Sequence, residues 1–189
     1  MNEQTHYTGT AKSLHWLMAL MIFGLLALGL YMADLPLSPE KLKLYSWHKW
    51  AGVTLFVLLL PRLAWRISHR PPALPEHMSK MVRLTSHLAH IALYVLMVAL
   101  PLSGWLMSSA KGYQTVWFGI LPIPDLIPKD KVMGDYLKEV HESLSWVLMM
   151  ILAVHIVAAI KHHFIDKDDV LMRMLPKRTK ESAQTGTEH

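Results

Sequence analysis

Four long apolar segments, separated by charged and proline-containing stretches, restrict this sequence to folds that cross a membrane. The first segment, Leu14 to Met32, runs for 19 residues without a charged side chain, which is long enough to span a bilayer as a helix. A helix satisfies its backbone hydrogen bonds within its own segment, as the bilayer core requires. The sequence therefore predicts an all-α fold, an integral membrane four-helix bundle with helices over about 12–33, 47–66, 85–107 and 139–164.

The composition predicts one domain over residues 1–176. Of the 189 residues 52% are hydrophobic, with 13 Met and 7 Trp, as in a small polytopic membrane protein. Residues 177–189 are polar and charged and contain no aromatic residue. Such a segment cannot bury enough apolar surface to fold, so we expect a disordered cytoplasmic tail there.

The residue types exclude several kinds of site. Cysteine is absent, which excludes disulfides, iron–sulfur clusters, thiolate-bound metals and covalently attached haem. The Lys and Arg residues that give the net charge of +5 lie mainly between and after the apolar segments rather than in a basic helix. We therefore expect membrane lipid around the chain and no nucleic acid as a partner.

The distribution of positive charge predicts the orientation. Twelve of the 19 Lys and Arg residues fall on the side that holds both termini and the second loop. By the positive-inside bias, both termini are expected in the cytoplasm. The first segment is long for a signal peptide and no small-residue cleavage site follows it, so we interpret it as an uncleaved membrane helix.

Two histidines of the fourth segment have a spacing that suits cofactor binding. His141 and His155 are fourteen residues apart, which places both rings on nearly one helix face, about 21 Å apart along the axis. Ionisable side chains inside a membrane need partners, and this separation fits two stacked haems. The histidines of the tails and the second loop are instead expected to be solvated: His6, His69, His77 and His189.

The predicted topology supplies a partner for each of these two rings. His15 enters the membrane at the cytoplasmic end, at the depth of His155, and His48 opens the second helix at the outer face, at the depth of His141. Two non-covalent haem groups with bis-histidine ligation are therefore predicted, which suits electron transfer because the iron keeps no open position. All four histidines have a small residue at i+4, which leaves room for a flat porphyrin: Ala19, Gly52, Ser145 and Ala159.

Two other interpretations of the histidines are compatible with the pattern. The rings can simply hydrogen-bond within a helical bundle, as polar residues of membrane helices often do. Alternatively, a non-haem metal transporter would line a pore with them, and such a protein would be colourless when purified.

The motifs resemble those of the bacterial cytochrome b561 family, which belongs with the b-type cytochrome subunits of nickel–iron hydrogenases. The resemblance covers nearly the whole chain through SLHW (13–16), HKWAG (48–52), HLAHIALYVLMVALPLSGWLM (87–107), VHESL (140–144) and HHFIDKDDVLMRMLP (162–176). It implies a multi-pass cytochrome of the bacterial inner (plasma) membrane with two b haems, moving electrons between a periplasmic donor and ubiquinone or menaquinone. The family's axial positions match His15, His48, His141 and His155.

A candidate quinone site lies near the predicted inner haem. His162 follows His155 by seven residues on nearly the same face, and Ser13 lies at similar depth. A hydroxyl and an imidazole can hold the two quinone carbonyls, and the imidazole can deliver a proton. Arg83, His87 and His90 are second candidates, or can bind haem propionates, and the alternative for His162 is snorkelling to the headgroups.

The donor side carries lysines that can steer an anion. They lie in the outer loops and at the starts of the adjoining helices: Lys49, Lys111, Lys129, Lys131 and Lys138. Acidic residues of the third loop dilute that field, so the charge alone does not select a donor. Some cytochromes of the resembled family oxidise superoxide, so we expect an oxidoreductase of the superoxide oxidase and quinone reductase type. The alternative is a cytochrome b membrane-anchor subunit that relays electrons between a periplasmic dehydrogenase or hydrogenase and quinone.

Overall fold

A computed structural model describes residues 6–75 and 78–175 of the chain. The predicted tail over 177–189, and with it His77 and His189, lies outside the described residues.

The fold is helical, and the predicted all-α membrane architecture is confirmed. Four helices are long and apolar enough to cross a membrane. The elements in chain order are α1 (Gly9–Ala33), α2 (Pro39–Ser68), α3 (Lys80–Ala110), β1 (Val116–Trp117), β2 (Leu121–Pro122), α4 (Lys131–Phe164) and the short α5 (Val170–Met174).

Each long helix begins before its apolar stretch, because a polar side chain caps the N-terminus of the helix in the segment that precedes that stretch. Ser38 accepts a hydrogen bond from the Lys41 amide, with Pro39 at the first position of α2. Asp130 likewise caps α4 by accepting from the Met133 amide. The first turns of these helices contain charged residues, which hydropathy alone would assign to the loops. Helices α2 and α4 therefore start eight residues earlier than the sequence patterns indicate.

The four helices pack as two pairs with a cleft between them. Helix α1 packs along α2 and α3 packs along α4, whereas among the described residues neither α1 nor α2 packs closely on α4. The small buried core lies where α1, α2 and α3 meet, around Met18, Leu55, Leu59 and Met97. The pairs meet through α2 and α3, and the cleft is the space between α4 and the helices α1 and α2.

One end of the bundle is covered by the β hairpin, and we call it the hairpin end. Trp50 Nε1 donates to the Val116 carbonyl at 2.6 Å, and Trp117 Nε1 donates to Thr54 Oγ1 at 3.2 Å. The hairpin turn uses left-handed backbone at Phe118 and Gly119. These tryptophan bonds hold the loop against α2.

The opposite end, which we call the terminal end, joins the start of α1 to α5. Lys12 Nζ donates to the Leu175 carbonyl at 2.8 Å, and Trp16 Nε1 donates to the Met174 carbonyl at 3.0 Å. Residues 12 and 175 therefore lie at the same end of the bundle, as an even number of crossings requires.

Candidate functional site

Two histidine pairs face each other across the cleft, one near each end. At the terminal end, the ring centroids of His15 on α1 and His155 on α4 are 6.5 Å apart. At the hairpin end, those of His48 on α2 and His141 on α4 are 6.3 Å apart. The structure thus brings together the same four rings that the sequence pairs by depth.

The spacing within each pair suits a shared metal better than direct contact. Two imidazoles on opposite sides of one metal have centroids roughly 6 Å apart, since a metal–nitrogen bond of about 2 Å adds to about 1 Å from nitrogen to ring centre on each side. Among the described residues, no hydrogen bond joins the two rings of either pair. Each pair leaves room for one metal ion between its rings.

A serine fixes the tautomer of His141. Ser103 Oγ donates to the Leu100 carbonyl at 2.9 Å and lies 2.9 Å from His141 Nδ1. Because its only proton points to Leu100, the hydroxyl accepts from Nδ1–H of the imidazole. The Nε2 lone pair of His141 is therefore available to a metal, the arrangement in which outer partners orient a ligating histidine.

Glycines make room for both rings at the hairpin end. A Cβ at Gly104 on α3 would lie 3.2 Å from His141 Cε1, and one at Gly29 on α1 would lie 3.3 Å from His48 Cε1. His48 Nδ1 is buried without a hydrogen-bond partner. The ring of His48 is therefore placed by packing against Gly29 rather than by a polar contact, and its buried nitrogen has no partner unless a ligand supplies one.

At the terminal end, an arginine and a third histidine surround the pair. Arg62 Nη2 lies 3.1 Å from His15 Nδ1, and because arginine only donates, this nitrogen of His15 accepts. Arg62 Nε is buried without a partner. The ring of His90 lies 5.4 Å from that of His155, which is closer than either metal-spaced pair.

Arg62 opens into a basic cavity, which we call the arginine pocket. It is lined by Tyr7, Arg66, Arg70 and Tyr94 among others, with no carboxylate among its described residues. Arg62 and Arg66 both lie over the Tyr94 ring, with Cζ at 5.7 and 5.5 Å from its centroid. Burial raises the pKa of the Tyr7 phenol, which therefore stays protonated and can donate. The pocket is suited to anionic groups.

The remaining predicted site residues are not gathered at one point. His162 is buried and bonded to carboxylates, whereas Ser13 is exposed and makes no hydrogen bond among the described residues. Arg83 and His87 are exposed on α3. Of the second candidates, only His90 lies against one of the paired rings.

The lysines at the hairpin end are largely engaged. Lys49 donates to a backbone carbonyl at 2.8 Å. Lys111 pairs with Asp135 at 3.3 Å, and Lys138 pairs with Glu142 at 2.8 Å. These contacts reduce the positive field that the sequence predicts over this end.

Comparison with known proteins decides the family. The model of the prokaryotic cytochrome b561 family matches residues 6–177. The chain belongs to the prokaryotic cytochrome b561 family. Cytochrome b561 homolog 2 of Escherichia coli (strain K12) is 35% identical over 183 residues, covering 93% of this chain and 94% of the relative.

Two further relatives of this cytochrome b561 chain are more distant. Cytochrome b561 homolog 1 of Escherichia coli (strain K12) is 32% identical over 144 residues, or 75% of this chain and 80% of the relative. The Yersinia pestis protein named probable superoxide oxidase CybB is 28% identical over 131 residues, or 69% of this chain and 74% of the relative.

Membership implies electron transport in a membrane with non-covalent haem b, and the residues present fit that group. The chain offers histidine nitrogens at metal spacing, a buried unpartnered Nδ1 on His48, and glycines where a larger residue would push the rings. Sequence reasoning identified the four rings but missed the residues that hold them: Gly29, Arg62 and Ser103.

Proposed function

We propose that the chain is a di-haem b electron-transfer protein that passes electrons from a periplasmic one-electron donor, superoxide in particular, to membrane quinone. One observation carries the proposal: two histidine pairs, 6.3 and 6.5 Å between centroids, bridge a cleft near opposite ends of the bundle. The proposal places the hairpin end at the periplasm and both termini in the cytoplasm, from the bias of Lys and Arg.

The histidine pairs would hold the two haems. His48 and His141 are the proposed ligands at the outer side, and His15 and His155 those at the inner side. A bis-histidine b haem supplies one-electron chemistry without an open iron position. The protein residues keep the rings at two depths on α4, fourteen residues apart, which allows stepwise electron transfer across the membrane.

The arginine pocket supplies counter-charges at the inner side. If His15 held haem iron through Nε2, its Nδ1 would carry a proton, and Arg62 would then need an acceptor other than this nitrogen. A haem propionate would meet that need, with Arg66 and the Tyr7 hydroxyl as neighbouring donors. We therefore assign Arg62 to propionate binding.

Quinone is proposed to bind near the inner pair, with His162 and Ser13 as candidates for its two carbonyls. His162 lies two helical turns beyond His155 on the same helix, and the exposed Ser13 lies two residues before His15. His90, beside His155, and the exposed Arg83 and His87 remain second candidates. Ubiquinone and menaquinone would both offer the carbonyls that these groups bind.

The donor can be tested with superoxide generated enzymatically in the presence of purified protein and a short-chain quinone. We expect the absorption of reduced haem to appear and quinol to form after it. Haem reduction should be slower at higher salt, because Lys129 and Lys131, which make no ion pair among the described residues, can steer the anion. If superoxide does not reduce the haem, superoxide is excluded as the donor. If an artificial donor reduces the haem and quinol forms, the rest of the proposal stands.

A second function, the membrane anchor of a periplasmic dehydrogenase or hydrogenase, is favoured by the apolar tip of the hairpin. Phe118 is 54% exposed and Ile120 is 85% exposed at the hairpin end, where a partner protein could dock. Purification from native membranes separates the two functions. A stoichiometric redox subunit would support the anchor, and a chain that reduces quinone alone would support the stand-alone oxidoreductase.

Ser103→Ala is expected to raise the midpoint potential of the outer haem by some tens of millivolts. The hydroxyl accepts from Nδ1–H of His141 and so makes the imidazole a stronger donor to oxidised iron. Potentiometric titration of the haem absorption measures the change, with Ser145→Ala as the matched control, since that hydroxyl bonds the His141 carbonyl instead. An equal shift in both variants would contradict a role through Nδ1.

A further inference from the structure

A buried histidine–carboxylate contact lies at the terminal end of α4, apart from the paired rings. His162 Nδ1 is 2.7 Å from Asp168 Oδ2 and 3.1 Å from Asp166 Oδ2. The side chains of His162 and Asp168 are 10% and 3% exposed. Burying a charged carboxylate costs free energy that only close partners can offset, and here the imidazole of His162 is one such partner.

The chain turns sharply to make this contact. Lys167 adopts left-handed backbone with φ 53°, which returns the chain towards α4. The Asp168 amide then donates to the His162 carbonyl at 3.0 Å, and Asp168 Oδ1 accepts from the Val170 amide at 3.1 Å. Both carboxylate oxygens of Asp168 are thus oriented, one by the backbone and the other towards the imidazole.

The same three side chains, His162, Asp166 and Asp168, are close enough to bind a metal ion. The charge balance argues against that use, because Lys161 Nζ lies 2.6 and 2.8 Å from the two oxygens of Asp166. A cation would have to displace this ammonium group. The contact between His162 and Asp168 is the shorter of the two, 2.7 Å against 3.1 Å, and it is made to the more deeply buried carboxylate.

We propose that Asp168 is a positioning residue for quinone reduction: it holds the Nδ1–H of His162 and directs Nε2 to the substrate. The inference rests on the proposed quinone site. Because a carboxylate only accepts, Nδ1 keeps its proton, and all proton exchange with substrate passes through Nε2. Nε2 has no hydrogen-bond partner among the described residues. The arrangement follows the orientation of a catalytic imidazole by a buried aspartate.

A quinone takes two electrons, which the one-electron donor supplies singly, and two protons, and its two carbonyls become hydroxyls. One proton moves from Nε2–H of doubly protonated His162 to a carbonyl oxygen, and the second comes from water. Cytoplasmic water returns the proton to Nε2 while Asp168 retains Nδ1–H, so the same nitrogen serves each turnover.

Asp168→Asn tests the proposal, because the amide can turn its NH2 to Nδ1 and force the proton onto the wrong nitrogen. With haem-loaded protein and a short-chain ubiquinone, we expect a fall of about 100-fold in kcat with a small change in KM, and a larger solvent isotope effect. Asp168→Glu should recover part of the rate. Asp169→Asn is the matched control, since that neighbouring side chain is 54% exposed and pairs with Arg173.

Haem content and the rate of haem reduction by the outer donor should match wild type in every variant. Asp168→Asn with a wild-type kcat would overturn the proposal, and so would loss of haem in that variant, which would make the role of Asp168 structural. A wild-type protein whose haems are reduced normally but pass no electrons to quinone would overturn the proposed function itself. The two failures are therefore separate observations.

Discussion

His15→Ala is expected to remove the inner haem alone and abolish quinone reduction, while the outer haem still accepts electrons from the donor. His48→Ala should do the reverse and abolish electron entry from the hairpin end. Each variant deletes one ring of a pair that stands at metal spacing, 6.5 Å for His15 and 6.3 Å for His48. With one haem lost, an electron would have to cross most of the distance of about 21 Å between the two depths on α4 in a single transfer.

Reduced-minus-oxidised spectra with haem quantified per chain measure these effects. His163→Ala is the matched control for haem content, because among the described residues that ring packs edge-on against the Phe164 ring and belongs to neither pair. Both haems retained in His15→Ala would show that another ring, such as His90 beside His155, takes its place or that His15 is not a ligand.

Gly29→Val and Gly104→Val are each expected to displace a ring at the hairpin end and to deplete the outer haem without removing a ligand. A Cβ would already lie 3.3 Å from His48 Cε1 and 3.2 Å from His141 Cε1, and the methyls of valine would come closer still. Overpacking of this kind typically costs about 1–3 kcal/mol, and here the moving group is the proposed ligand itself.

Gly24→Val supplies the control on the same helix as Gly29, because a Cβ at Gly24 has no atom within 4 Å. It should keep both haems. The measurement is the spectrum of the outer haem and its retention during purification. Equal haem loss in Gly24→Val and Gly29→Val would mean that helix α1 tolerates no larger residue, and would contradict a specific effect on His48.

The sequence predicts the fold well because hydropathy and helix periodicity are local properties. A 19-residue uncharged run such as Leu14 to Met32 has no soluble alternative, and the fourteen-residue spacing of His141 and His155 fixes their depths and their shared face. Depth alone then pairs them with His48 and His15. The helix starts are less predictable, because capped charged turns such as the one after Ser38 do not register as apolar.

What supports the rings could not be predicted, because it depends on how the helices are rotated against one another. The i+4 rule selected Gly52, but a Cβ there meets nothing within 4 Å, and it is Gly29 on the neighbouring helix that clears space for His48. Ser103 and Asp168 likewise reach their imidazoles only through tertiary packing and a left-handed turn. No local pattern distinguishes them from other polar residues.

The most direct test of the account is a potentiometric titration of the detergent-purified wild-type protein, with iron and haem quantified per chain. Two histidine pairs at metal spacing predict two b haems per chain, with two one-electron transitions and the spectra of bis-histidine iron. One haem per chain, or none, would contradict the assignment of both pairs as ligand sets, whatever the quinone activity of the preparation.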